Sequence, residues 1–484
     1  MTIDWRRAGP DLLVALDRRG PLGVQIQDRV RAAIRDGRLA GGERLPSTRR
    51  LAEQLGVSRG TVVDVYEQLL AEGYVESTAG SGTRVAASAG GEQHQVRPHY
   101  APSISEPRPD VDFEYGIPDL SSVPLADWAW AVSEATRTLP TAELGDEAPA
   151  GSIHLRAVVT AYHRRVRAGC AAAEDAIVVA GFRQGLALTL ATLANHGYER
   201  VALEDPGPRE HDVIARRAGL EPVPVPVDCD GLDVGRLFES GARAVLLTPA
   251  HQCPTGVVLG PGRRRELRAW AAQVDGLVIE DDYDAEFRYD RQPVGSLQGL
   301  DPDHVIALGS VSKTLAPAIR LGWVFAPRRF VDGIVDEKRL NSRGAPGLDQ
   351  EALALLMESG RYDRHLRRMR EIYRARRDAL VGAIDVEFGP AARLEGLAAG
   401  CHALLRLPHG VSEQAVTRAA RSMSVGVRGL GEYQVGSGHA QPHPWSPAVV
   451  LGFGNVTETQ IRRGIRMLAE AVRPATDGRG RRNR

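Results

Sequence analysis

The sequence predicts a multidomain chain: a small α+β helix-turn-helix unit with a hairpin at the N-terminus, then a large α/β domain that closes in a smaller α+β segment. Three observations predict it. At 484 residues, with 43% hydrophobic and 25% charged residues, the chain buries a large core and exceeds one ordinary domain. Near the N-terminus, three apolar helical periods are separated by short glycine-containing turns. Further on, helical periods alternate with short, wholly apolar runs, the pattern of a largely parallel sheet covered by helices on both faces.

From Pro21 to about Gly37, the residues Leu22, Val24, Ile26, Val30, Ala33 and Ile34 recur at helical spacing, and Gly37 supplies the stop. After Gly41-Gly42, Ser47 is placed to cap a short helix whose inner face is Leu51, Ala52 and Leu55. Gly56-Val57-Ser58 turns into a third helix, 59–72, capped by Ser58 and packed through Val62, Val65, Tyr66, Leu69 and Leu70. Tyr74-Val75-Glu76 and Thr83-Arg84-Val85 flank a Gly80-Ser81-Gly82 tip, the hairpin of a wing. Residues 1–86 thus form one domain. Residues 87–110, rich in Ala, Ser, Gly, Pro and His, read as a flexible linker to a large domain at 111–476. Its strands fall at 176–179, 244–247, 277–279 and 305–308. From about residue 360 a charged helix, 361–380, opens the smaller subdomain, with strands near 403–407 and 449–451. Residues 477–484 read as a disordered basic tail.

Composition narrows the function. No apolar run reaches the roughly 18 residues of a membrane span, and Met-Thr-Ile-Asp-Trp-Arg-Arg lacks the apolar core of a signal peptide, so a cytoplasmic protein without a membrane partner is expected. Cys170, Cys229, Cys253 and Cys401 have no paired spacing; neither a disulfide framework nor a metal site is expected. Formal net charge is +0, so any nucleic-acid surface is local. Of the 61 lysine and arginine residues only two are lysines, Lys313 and Lys338. A bias toward arginine stops where a position needs an amine that can lose its proton and attack a carbonyl, which a guanidinium cannot do.

In a helix-turn-helix the first residues of the second helix face base edges in the major groove, here Arg59, Gly60 and Thr61 behind the cap Ser58. Arg59 is the candidate for guanine. Arg49 opens the preceding helix, within reach of a phosphate or a base, and the wing residues Gly80, Gly82 and Thr83 bring backbone toward the minor groove. Leu45-Pro46-Ser47-Thr48-Arg49, Gly56 to Val62, Tyr66-Glu67-Gln68-Leu69, Ala71-Glu72-Gly73-Tyr74 and Gly80-Ser81-Gly82-Thr83 together resemble the GntR family of winged-helix regulators. The resemblance implies a double-stranded DNA operator as partner.

In the large domain, Gly309-Ser310-Val311-Ser312-Lys313-Thr314-Leu315 follows an apolar strand and places a lysine at its C-terminal end, where α/β folds hold ligands. Such a lysine can form a Schiff base with an aldehyde cofactor. Ser310 and Ser312 offer hydroxyls to a phosphate, and Arg320 adds a fixed cation. Ala180-Gly181-Phe182-Arg183-Gln184-Gly185 turns from strand into helix, so that the amides of Phe182 and Arg183 can point at an anion. In Glu280-Asp281-Asp282-Tyr283-Asp284, Asp281 suits a pyridine nitrogen and Tyr283 the ring oxygen; the alternative is a magnesium-binding or plain acidic cluster. The turn Thr248 to Gly256 can lend His251 or Gln252 to the ring oxygen, and His251 can equally be structural.

These pieces resemble fold-type I pyridoxal-phosphate enzymes, the aminotransferase-like fold, and their order behind a GntR head resembles the MocR subfamily of regulators. That resemblance implies pyridoxal 5'-phosphate on Lys313, Asp281 at the pyridine nitrogen, Tyr283 at the ring oxygen, and Ser310, Ser312 and Arg320 at the phosphate. It also implies a homodimer, often with the head of one chain crossing to the other's large domain. Three positions depart from the pattern. Glu204-Asp205-Pro206-Gly207-Pro208 has a proline where an aromatic ring commonly stacks on the cofactor, Arg183 stands where a small or amide residue is usual, and 447–450 lacks the arginine that clamps a substrate carboxylate. The expected function is therefore a DNA-binding regulator that senses an effector, the cofactor itself, an amine or an amino acid. An active aminotransferase with a DNA-binding head is the alternative, and a scaffold that has lost the cofactor a third reading.

Overall fold

The computed structural model describes residues 20–78, 82–87, 109–145, 148–284, 286–289, 295–342, 344–396, 399–408, 410–435, 445 and 447–477. The chain divides into two compact units between residues 106 and 107.

The first unit contains α1 (Leu22–Arg35), α2 (Thr48–Leu55), α3 (Arg59–Ala71), β1 (Val75–Thr78) and β2 (Gly82–Val85). Both expected caps form: Ser47 Oγ accepts from the Arg50 amide at 3.3 Å and Ser58 Oγ from the Thr61 amide at 3.1 Å. Gly56 closes α2 in the left-handed region, φ 64°. Ile26, Val30, Ile34, Leu51, Val62, Val65, Leu69 and Val85 make the core. Leu70 does not join it and is 45% exposed, because Val62, Val65, Tyr66 and Leu69 already fill the inward stripe and the next position turns past it. β1 and β2 pair antiparallel, Val75 opposite Val85 and Thr78 opposite Gly82. The Gly80 and Ser81 tip, residues 88–108 of the expected linker and 478–484 of the expected tail lie outside the described residues.

The second unit runs β3 (Val111–Asp112), α4 (Leu125–Thr138), α5 (Ile153–Arg167), β4 (Ala176–Val179), α6 (Phe182–Asn195), β5 (Arg200–Asp205), α7 (Arg209–Arg217), β6 (Glu221–Asp228), β7 (Gly231–Leu232), α8 (Val234–Glu239), β8 (Ala244–Leu247), α9 (Pro261–Val274), β9 (Leu277–Asp282), β10 (Val305–Ser310) and β11 (Gly322–Phe325). It continues through α10 (Arg328–Ser342), α11 (Gly347–Glu358), α12 (Arg361–Glu387), β12 (Arg393–Glu395), β13 (His402–Arg406), α13 (Glu413–Ser422), β14 (Val425–Gly426), β15 (Arg428–Gly429), β16 (Ala448–Gly452) and α14 (Glu458–Asp477).

Eight strands form the main sheet in the order β4-β11-β10-β9-β8-β5-β6-β7. The run β10-β9-β8-β5-β6 is parallel, while β11 lies antiparallel to both its neighbours. β4 and β8 are buried at every residue, as continuous apolar runs require of strands covered on both faces. β12-β13-β16-β15 form the antiparallel sheet of the smaller segment. α12 runs to Glu387 rather than stopping near 380, because Ala383 and Ile384 keep helical period with Tyr373, Arg376 and Leu380 and are buried with them. α14 likewise includes Asp477, which the sequence reading gave to the tail. Two glycines let elements approach closely: a Cβ on Gly309 would lie 2.2 Å from the Trp323 indole, and one on Gly185 would lie 3.1 Å from Val324.

Candidate cofactor and nucleic-acid sites

Lys313 follows β10 and reaches across to the loop after β3. Its Nζ donates to the Gly116 carbonyl and lies 5.8 Å from the centre of the Tyr115 ring. Gly116 holds φ 84°, and a Cβ there would sit 2.9 Å from Nζ. Burial lowers the pKa of the amine, while Asp284, Cys253 and Asp281 nearby oppose the shift. Tyr115, Tyr283, Asp284, Lys313, Cys401 and His402 line a small pocket beside the amine.

Asp281, on β9, is 7% exposed, and its carboxyl is pushed well above the usual range, first by burial and then by Asp282 and Asp284, against the pull of Lys313. A protonated pyridine nitrogen is the kind of partner that would let this carboxyl ionise. Tyr283 is half-buried; its hydroxyl donates to the His251 carbonyl at 2.7 Å and lies 3.5 Å from His251 Nδ1. The His251 imidazole is engaged elsewhere, 3.1 Å from Asp284 Oδ2 and 3.2 Å from the Gly396 carbonyl.

At the other end of the lysine loop, Ser310 Oγ lies 2.8 Å from Ser312 Oγ and accepts from the Ser312 amide at 3.1 Å. Arg320 is exposed in the left-handed region, φ 55°, and forms no hydrogen bond or ion pair with the described residues. Gly181, φ 88°, precedes α6, whose first amides, those of Phe182 and Arg183, have no helical carbonyl to donate to. The Phe182 ring packs 5.7 Å from the ring of His211. Arg183 turns outward, 65% exposed, to pair with Glu210 at 2.7 Å. Pro208, at the position where an aromatic ring was expected, caps α7; His211 is buried in the first turn of that helix, and burial lowers its imidazole to a pKa of about 4.

A lysine amine, an unpaired arginine, paired serine hydroxyls, a helix N-terminus and a buried carboxyl fit a phosphorylated pyridine aldehyde in the chemistry of their donors. No arginine lies on β16, all of whose residues are buried. The nearby buried guanidinium of Arg376 is held by Asp119 at 2.7 Å and the Gly454 carbonyl. Tyr115, Gly116, Asp284, Cys401 and His402 escaped the sequence reading. Gly116 meets a residue 197 positions away, and nothing local announces such a contact.

In the first unit, Arg59 and Gly60 stand exposed at the start of α3. Ser58 and Thr61 spend their hydroxyls on each other at 2.8 Å. Arg49 is 84% exposed beside Glu53 at 3.2 Å. Gly82, φ 83°, lies against the Arg44 guanidinium, and the Thr83 carbonyl accepts from the Leu45 amide at 2.9 Å, which ties the wing to the loop before α2.

Residues 22–85 match the family described as bacterial regulatory proteins, gntR family, and residues 117–398 match aminotransferase class I and II. A winged helix-turn-helix joined to an aminotransferase-fold domain defines a DNA-binding transcriptional regulator whose second domain belongs to a pyridoxal-phosphate family. The chain is 33% identical to the pyridoxine biosynthesis regulator PdxR of Corynebacterium glutamicum, over 96% of this chain and 99% of that protein. It is 32% identical to MocR of Rhizobium meliloti, named a probable rhizopine catabolism regulatory protein, over 95% and 96%. The chain belongs to the MocR subfamily of GntR-family regulators. Its fold is shared with the α-aminoadipate aminotransferase LysN of Thermus thermophilus, TM-score 0.67 and 24% identity over 76% of this chain and 92% of that one. Among the described residues no helix is long and apolar enough to cross a membrane.

Proposed function

We propose that the chain is a cytoplasmic regulator in which residues 111–476 hold pyridoxal 5'-phosphate on Lys313 and report an effector to the DNA-binding domain, residues 1–86, through the linker 87–110. The observation that carries this reading is the half-buried Lys313 amine, lining a pocket with Tyr115, Tyr283 and Asp284, together with a strand β16 that offers no arginine to clamp a carboxylate. When bound, the cofactor supplies an aldehyde and an electron sink. Asp281 would hold the charge of its ring nitrogen, Tyr283 would serve its ring oxygen, and Ser310, Ser312, Arg320 and the first amides of α6 would take its phosphate. Without an anchor for the carboxylate, an amino acid is not held with its Cα proton in a fixed position, so recognition is favoured over turnover. The effector is the cofactor itself, an amine or an amino acid. Arg59, Gly60 and Thr61 read a double-stranded operator, Arg49 holds its backbone, and two chains act as a homodimer.

The test is the visible spectrum of the purified protein with added pyridoxal phosphate, before and after borohydride and with Lys313→Ala. A band at roughly 410–430 nm, typical of Schiff bases, that requires Lys313 supports the reading, together with effector-dependent promoter output that the variant alters. A spectrum indifferent to Lys313 removes the cofactor half and leaves a DNA-binding scaffold.

A further inference from the structure

Three buried donors from separate segments meet at the wall of the Lys313 cavity: His251 in the turn after β8, Asp284 just after β9, and His402 at the start of β13. They are 1%, 4% and 1% exposed, and their ligand atoms lie within 4.8 Å of one another. Hydrogen bonding leaves part of this cluster unsatisfied. Both nitrogens of His251 face acceptors, Asp284 Oδ2 at Nδ1 and the Gly396 carbonyl at Nε2. A neutral imidazole has a single N–H. If Nε2–H donates to Gly396, Nδ1 presents a lone pair toward Asp284; if Nδ1–H donates to Asp284, Nε2 presents one toward Gly396. The His402 ring packs 4.3 Å from that of His251; the Gln252 and Pro254 backbone lies near its nitrogens but forms no well-aligned hydrogen bond with them. A buried imidazole without a well-formed hydrogen bond costs free energy that a bound cation recovers.

We propose that His251, through Nδ1, Asp284 and His402 bind a divalent transition metal of the Zn2+ class. Two imidazoles and a carboxylate suit such an ion better than Mg2+ or Ca2+ and leave a fourth position open. The Gly396 carbonyl fixes the His251 tautomer, as outer-shell acceptors do for metal-bound histidines. The sequence gives no spacing signal, since the donors are 33 and 118 positions apart along the chain. Asp284 and His402 also line the Lys313 cavity, so the ion would cancel a negative charge that now supports the lysine ammonium.

Untagged full-length protein, dialysed free of metal, is titrated with Zn2+ by calorimetry and with Co2+ by visible absorption. One ion per chain is expected, with the d–d bands of a low-coordinate nitrogen and oxygen site. His402→Gln and Asp284→Asn should each weaken it by more than the roughly 10- to 100-fold that loss of an outer-shell partner costs. Thermal melting checks that the variants fold, and Asp228→Asn with Asp230→Asn, in an exposed acidic cluster, should leave binding intact. No stoichiometric binding to the unaltered chain, or binding that survives both ligand changes, overturns the proposal. Neither readout needs the cofactor, so this proposal and the pyridoxal-phosphate reading fail separately.

Discussion

Replacing Arg320 separates what its backbone costs from what its side chain gains. At φ 55° and ψ 38° a residue with a Cβ gives up about 1–2 kcal/mol, and the exposed guanidinium recovers none of it from the described residues. The chain cannot relax there: two residues on, Gly322 packs so closely that a Cβ would lie 2.7 Å from the Gly309 carbonyl oxygen. Strain with no internal compensation is what a ligand-facing residue shows. Arg320→Ala removes only the guanidinium, whereas Arg320→Gly also frees the backbone, at about 0.5–1 kcal/mol of unfolded-state entropy. Without cofactor, the Gly variant should therefore exceed the Ala variant by about 0.5–1 kcal/mol in chemical denaturation. Toward pyridoxal phosphate the two should fall together, by the about 1.5–3 kcal/mol of a charge-assisted hydrogen bond, or roughly 10- to 150-fold in Kd by absorbance titration. If Arg320→Ala binds the cofactor as the unaltered chain does, the guanidinium is not at the phosphate; if the two variants are equally stable, the backbone is not strained.

Arg59→Ala should cost about 1–3 kcal/mol on the operator and relax its base preference, while Arg49→Ala weakens all sequences evenly and lowers the salt slope by about 1; fluorescence anisotropy on operator and scrambled DNA separates them, and an even loss for Arg59→Ala would move that residue to the backbone. Ser58→Ala removes the cap of α3 and should destabilise the first unit by about 1 kcal/mol, seen as a lower melting midpoint for that unit; an unchanged midpoint would mean the cap contributes nothing. Burial raises Glu204 to a pKa of about 7, against hydrogen bonds from Thr248. The folded state therefore holds a proton that the unfolded state has released above about 4.5, and this contribution, full below that pH, is lost as pH rises through 7. Glu204→Gln stays neutral throughout, so its melting midpoint relative to the unaltered chain should rise from pH 5 to pH 8. A difference independent of pH would place the Glu204 pKa near its ordinary value.

The first unit was legible because its signals are local. Ser47 and Ser58 sit where caps are needed, Gly56 where a left-handed residue is needed, and Ile26, Val62, Val65 and Leu69 where an inward stripe falls. The lysine loop was legible for a different reason: in a chain that writes arginine almost everywhere, an amine stands out. Lys338, the other lysine, is fully buried in α10, which scarcity alone does not foretell. What pairs with what across the sheet was not legible. Arg183 meets Glu210 only because α6 and α7 start side by side, and Gly116 meets Lys313 only because β3 and its loop return to the end of β10. Alternation of strand and helix predicts a parallel sheet but carries no strand order, and β11, antiparallel between β4 and β10, has no mark of its direction in Gly322-Trp323-Val324-Phe325.

The same distinction bears on function. The groups proposed to handle an aldehyde and its ring, Lys313, Asp281 and Tyr283, lie on or just beyond the ends of β9 and β10, fixed by the parallel core. The group that would hold a substrate carboxylate belongs to the antiparallel segment, and there β16 is spent on packing: Ala448, Val449, Val450 and Leu451 are all 1% exposed or less, between β13 and β15. A strand that buries valines at those positions stabilises the segment by apolar area and itself offers no cation to a bound acid. Binding without anchoring is a poor arrangement for turnover but suits a sensor, since an effector alters a regulator through its differential affinity for two states, and needs no chemistry to do so.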